Sequence, residues 1–129
     1  VNILFIEDDP MNRRVVKDML DVAGAVMTGA ESAEIGLDLI ESNDYAMILL
    51  DLRMPGMDGF EALRRIRARG DAKAKLPVII LTADTAVDLR DRCIESGADD
   101  ILFKPVAMES LFDAIGRTLA KNAGDGMIV

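Results

Sequence analysis

The chain has 129 residues, half of them hydrophobic, with 23 acids against 15 bases and a net charge of −8. That length suits one domain, and the acidic balance opposes direct nucleic-acid binding, which needs a basic footprint. Histidine is absent and Cys93 is the only cysteine, which excludes a Ser-His or Cys-His nucleophile, a His-ligated metal and an intrachain disulfide.

The apolar runs are far shorter than a membrane span, and no charged-then-apolar leader opens the chain. A soluble, cytoplasmic protein with no membrane partner is expected. Cys93 falls in a helical pattern with Leu89 and reads as a small buried hydrophobe rather than a reactive thiol.

The first strand-like run, Ile3-Leu4-Phe5-Ile6, leads into Glu7-Asp8-Asp9. A helix is predicted to start at Pro10 with Asp9 as its N-cap, since proline lacks only an N–H that the first turn does not use. Val15, Val16, Met19, Leu20 and Ala23 then recur at helical spacing, and Gly24 ends the helix. A short strand over 25–28 and a helix over 32–41 follow, with Ile35, Leu39 and Ile40 predicted inward.

Met47-Ile48-Leu49-Leu50 leads into Asp51. The next segment, Arg53-Met54-Pro55-Gly56-Met57-Asp58-Gly59, is rich in breakers and reads as a loop. Asp58 and Glu61 have the spacing of a capping box. Phe60, Leu63 and Ile66 form the inner face of the following helix. Arg64, Arg65, Arg67 and Arg69 are read as its solvated outer face. Val78-Ile79-Ile80-Leu81 leads into Thr82, a helix is predicted over 86–96 with Gly97 as its stop, and Ile101-Leu102-Phe103 leads into Lys104-Pro105. The last helix is predicted over 108–120, with Leu111, Ile115 and Leu119 inward. Residues 121–129 show no clear period and read as a tail or the start of a linker.

Strand-like and helix-like runs alternate throughout, and the strands are apolar without polar alternation. This is the pattern of a parallel sheet buried on both faces. In adjacent parallel strands the C-terminal ends share one edge, where open α/β sheets bind their ligands. Carboxylates from the first and third runs, a hydroxyl from the fourth and an amine from the fifth would converge there. Carboxylates with a lysine point to a hard metal ion and a phosphoryl group.

Five features together, Glu7-Asp8-Asp9, Asp51, Met54-Pro55-Gly56-Met57-Asp58-Gly59, Thr82-Ala83 and Lys104-Pro105, resemble the receiver domain of a bacterial response regulator. The opening Glu-Asp-Asp-Pro-Met-Asn-Arg-Arg also resembles receivers attached to hybrid sensor kinases. The resemblance implies a flavodoxin-like (βα)5 fold, a doubly wound parallel five-stranded sheet of order 2-1-3-4-5, with residues 1–120 as the receiver domain. It implies Asp51 as the phosphoacceptor, and Mg²⁺ held by Glu7, Asp8, Asp51 and the main-chain carbonyl of Arg53. Asp9 also carries a carboxylate, one residue from Asp8, but its place before Pro10 suits a cap. Thr82 and Lys104 would contact the phosphoryl group, with a cis peptide before Pro105 aiming the lysine inward. Small Ala83 leaves access to Asp51.

The implied phosphodonor is a histidine kinase or histidine phosphotransfer protein, because this chain has no histidine of its own. The implied readers are a downstream output domain or protein, and a homodimer is left open. Family members often carry Tyr or Phe three residues before the lysine as a switch partner of the threonine; Ile101 stands there, and Phe103 should point elsewhere. Arg53 and Asp84 are expected to pair across the crevice mouth. The rival from a different class is a degenerate receiver that acts only as an interaction module. A haloacid-dehalogenase-like phosphatase would want Asp where Arg53 stands. A flavin module would want a Ser/Thr/Gly-rich loop where the three acids stand.

Overall fold

The computed structural model describes residues 1–127. Five strands, β1 (Asn2–Ile6), β2 (Val26–Ala30), β3 (Met47–Asp51), β4 (Val78–Thr82) and β5 (Asp100–Phe103), alternate with α1 (Pro10–Val22), α2 (Ala33–Ser42), α3 (Gly59–Arg67), α4 (Leu89–Glu95) and α5 (Met108–Met127). A 3-10 turn, Ala72–Lys75, precedes β4. All strands are parallel in the order β2-β1-β3-β4-β5. This is the flavodoxin-like doubly wound topology that the resemblance implied.

Helices cover both faces of the sheet. On one side Leu4, Ile6, Ile48, Leu50, Val78 and Ile80 pack against Ile40 of α2, Leu63 and Ile66 of α3, and Leu89 and Cys93 of α4. On the other, Ile3, Phe5, Leu49, Ile79 and Leu81 pack against Val16 and Leu20 of α1 and Leu111 and Ala114 of α5. Alternate residues of each strand feed opposite cores, which explains the lack of polar alternation. Each fully buried Leu, Ile or Phe contributes roughly 1.5–3 kcal/mol relative to exposure.

Local signals hold at several boundaries. Asp9 caps α1 by accepting from Met11 N at 2.8 Å, and Gly24 follows the helix at φ +76°. Ser32 caps α2 by accepting from Ile35 N, and Asp58 caps α3 by accepting from Glu61 N. The reciprocal half of a capping box does not form, because the Glu61 carboxylate is taken by Arg64 and Arg65.

Other expectations are corrected. The second strand lies at Val26–Ala30, because all five of its residues pair with β1 in register. Ile35 is 40 % exposed. The buried line of α2 is Ala33, Gly36 and Ile40, and a Cβ at Gly36 would overlap the Ile6 side chain, so the helix turns its smallest residue to the sheet. Val15 is also exposed, the apolar stripe of α1 being wider than the surface it covers. The fourth helix starts at Leu89 rather than 86, because Asp84 Oδ1 draws the Ala86 N–H into a local turn. α5 continues past Ala120 to Met127, and residues 128–129 of the expected tail lie outside the described residues.

Arg67 departs furthest from the solvated-face reading. Its guanidinium, half-buried, donates to Gly97 O, Ala74 O and Leu76 O, and reaches Asp99 at 3.3 Å. Asp99 in turn accepts from Val78 N. One arginine therefore ties the end of α3 to the 3-10 turn, the turn after α4 and the start of β4.

Candidate functional site

Register brings the site together. Ile6 is level with Leu50, Asp51 with Leu81, and Thr82 with Phe103. The residues following β1 and ending β3 therefore reach the sheet edge together, and Lys104 N bonds Thr82 O at 2.8 Å. Glu7, Asp8 and Asp51 each place a carboxylate oxygen within 4.8 Å of the others. Asp9 stays outside this group and caps α1.

Lys104 Nζ lies 2.5 Å from Glu7 Oε1 and 3.4 Å from Asp51 Oδ1. The peptide between Lys104 and Pro105 is cis, as expected. Glu7 is only 1 % exposed and Asp51 is buried, whereas Asp8 opens to solvent. Burial disfavours the Lys104 ammonium, but the Glu7 hydrogen bond and the Asp51 and Glu7 charges outweigh it and hold its pKa above the ordinary lysine value. Desolvation, the adjacent Glu7 carboxylate and the charge of Asp9 raise Asp8 above the usual carboxylate range.

Three carboxyl groups thus crowd together with a single ammonium among them. The donor set is all oxygen, which suits a hard divalent ion such as Mg²⁺. The residues present therefore fit the ion that the sequence implied.

The loops shape the mouth. Met54 is buried in the α4-side core and anchors the segment after β3. Gly59 N donates to Leu52 O at 2.9 Å, and a Cβ at Gly59 would overlap Asp51 O and stand 2.7 Å from Leu52 Cα. Only glycine lets α3 start this close to the strand end. Thr82 is fully buried, and its Oγ1 accepts from Asp84 N at 3.1 Å. That bond uses the oxygen and leaves the hydroxyl proton available to an anion. The expected Arg53–Asp84 pair forms, and a cleft of about 520 Å³ lined by Met54, Pro55, Phe60 and Arg92 opens beside it.

Ile101 is 3 % exposed and is part of the α4-side core, while Phe103 is half-exposed. Two residues near the site escaped the sequence reading. Asn12 Nδ2 donates to Glu7 Oε1 at 3.0 Å, and Arg13 Nη1 donates to Glu7 O at 2.6 Å. Their signal was the helix start at Pro10, which turns the next residues back over the end of β1.

A family model for the response regulator receiver domain matches residues 3–116. The sensor histidine kinase RcsC of Salmonella typhi is 37 % identical over 118 residues, covering 92 % of this chain and 12 % of that protein. The transcriptional regulatory protein HprR of Escherichia coli K12 is 38 % identical over 122 residues, covering 95 % of this chain and 53 % of that protein. The chain thus spans only part of the length of these relatives. Among solved structures, the receiver domain of sensor histidine kinase PA1611 from Pseudomonas aeruginosa PAO1, described with a magnesium ion coordinated in its active-site cleft, superposes with a TM-score of 0.83 at 33 % identity, covering 92 % of this chain and 97 % of that one. With the acids, threonine and lysine already grouped at the end of a 2-1-3-4-5 sheet, these matches decide the family: the chain belongs to the response regulator receiver domains.

Proposed function

We propose that this domain is a phosphoacceptor switch in a two-component phosphorelay. The observation that carries the reading is the position of Lys104 Nζ between Glu7 and Asp51, with Asp8 beside them. An oxygen of the Asp51 carboxylate attacks the phosphorus of a phosphohistidine. The P–O bond forms as the P–N bond breaks, and the imidazole nitrogen keeps the electron pair and takes a proton. Lys104 offers a point charge to the transferring oxygens, and Thr82 donates its hydroxyl proton to one of them. Glu7, Asp8, Asp51 and the Arg53 carbonyl would hold Mg²⁺, which when bound offsets the charge of the phosphoryl oxygens. Water later cleaves the acyl phosphate and regenerates the Asp51 carboxylate.

The donor is a sensor histidine kinase or a histidine phosphotransfer protein. Output passes to another domain or protein through the face of α4, β5 and α5. There Asp100 joins Arg90 and Arg117, and Phe103 stands half-exposed. None of the described helices is long and apolar enough to cross a membrane.

The test is incubation with Mg²⁺ and a small acyl phosphate or beryllofluoride, read by intact mass and two-dimensional NMR, with Asp51→Asn in parallel. A Mg²⁺-dependent adduct that is lost in Asp51→Asn, with shifts reaching Thr82, is the expected result. A folded wild-type chain that gives neither adduct nor shifts would transfer the reading to a phosphorylation-independent interaction module.

A further inference from the structure

Glu7 is a buried carboxylate with two donors on one oxygen. Lys104 Nζ and Asn12 Nδ2 both bond Oε1, at 2.5 and 3.0 Å, and neither bonds Oε2. The donors differ in what else they can do. Lys104 already lies 3.4 Å from Asp51 Oδ1, where a phosphoryl group would arrive. Asn12 is neutral and fixed in the first turn of α1. The same turn holds the backbone of Glu7 through Arg13, whose stem crosses Gly29 of β2 so closely that a Cβ there would stand 3.0 Å from Arg13 Cδ. α1 therefore grips Glu7 by both its side chain and its carbonyl.

When Lys104 turns to a phosphoryl group, it weakens or gives up its bond to Glu7 Oε1. Asn12 Nδ2 is then the one side-chain donor left on that buried oxygen, and losing it as well would be costly even though the carboxylate would also help to hold Mg²⁺. We propose that Asn12 is a positioning residue which keeps Glu7 Oε1 bonded while Lys104 is transferred to the phosphoryl oxygens. Without it, Glu7 competes for Lys104 at the moment the phosphoryl group needs it. The inference rests on the phosphoacceptor reading above and adds a residue to it. It separates two steps: cation binding, during which Lys104 stays on Glu7, and phosphoryl binding, during which it leaves.

The experiment compares wild type, Asn12→Leu and Asn12→Gln in the full chain. Mg²⁺ affinity is read by NMR titration without phosphodonor, beryllofluoride affinity at saturating Mg²⁺, and thermal stability by melting. Asn12→Leu is expected to leave the Mg²⁺ Kd within about twofold and weaken beryllofluoride binding about tenfold, as loss of a hydrogen bond to a charged group implies. Asn12→Gln, which keeps the amide donor, should restore most of that loss. Asn12→Ala takes the place of the leucine variant if leucine disturbs the fold. Beryllofluoride affinity within twofold of wild type overturns the role of Asn12. So does a parallel fall in Mg²⁺ affinity, beryllofluoride affinity and melting temperature that glutamine does not repair, since that pattern marks a structural contact alone. A wild-type chain that never forms the adduct overturns the phosphoacceptor reading itself, and this inference with it.

Discussion

Arg53 Nη2 and Asp84 Oδ2 stand 2.5 Å apart and join the loop after β3 to the loop after β4. Asp84 is also tied inward: its N–H donates to Thr82 Oγ1, and its Oδ1 accepts from Ala86 N. The Ala86 N–H first, and Arg53 second, hold the Asp84 carboxyl below its ordinary pKa. The pair thus joins the two loops, one member standing two residues after Asp51 and the other touching Thr82.

Because the Arg53 side chain is 75 % exposed, Arg53→Ala should leave stability nearly unchanged. It should shorten the lifetime of an Asp51 acyl phosphate in Mg²⁺ buffer by roughly two- to fivefold, the range given by about 0.5–1 kcal/mol at the transition state for water attack. Decay of the phosphorylated mass peak measures this. An unchanged half-life removes any screening role for the pair.

Gly59→Ala tests the close approach of α3 to the strand end. In an exposed helix this exchange stabilises by up to about 1 kcal/mol. Here the added methyl meets Asp51 O and Leu52 Cα, so the sign should reverse, with a loss of roughly 1–3 kcal/mol. Urea unfolding reads the loss, and a Mg²⁺ titration should show weaker binding as the Asp51 backbone shifts.

Two arginines of one helix should behave differently. Arg67→Met strips the donors from Gly97 O, Ala74 O and Leu76 O and leaves Asp99 without its ion pair. A loss of about 3 kcal/mol is expected from such unpaired groups. Arg65→Met, on the exposed side of α3, should stay within about 0.5 kcal/mol. Equal effects in urea unfolding would refute the tether.

Hydrogen bonds from Arg64, and less so from Arg65, lower the Glu61 carboxyl from 4.5 to about 2. A depressed native pKa contributes stability that is fully present above the unfolded value and is lost as pH falls through the native one. The contribution of Glu61 to α3 should therefore fade between pH 4.5 and about 2. Carboxyl-detected NMR should show the midpoint return toward its ordinary value in Arg64→Ala, and high salt should narrow the difference because the group is exposed.

The positions of these residues were legible to different degrees. Apolar runs marked strands, and Asp9-Pro10, Ser32 and Asp58 marked helix starts, because periodicity and capping act over a few neighbouring residues. Asp51, Thr82 and Lys104 could be picked out because each follows an apolar run and the runs recur at βα spacing. The strand order came from the family resemblance, since strands buried on both faces all read alike.

What sequence alone determined here was the set of elements and the chemistry at their ends. Tertiary structure decided which neighbours compete for each group. Asp8 was brought beside Glu7 and Asp51, the latter from a strand far along the chain. Arg67 left the solvent for three carbonyls more distant in the chain, and Ile35 gave its place at the sheet to Gly36. Asn12 was turned onto Glu7 by the helix that starts at Pro10. Each outcome depends on distances between segments far apart in sequence or on the direction of a helix, and local residue patterns carry neither.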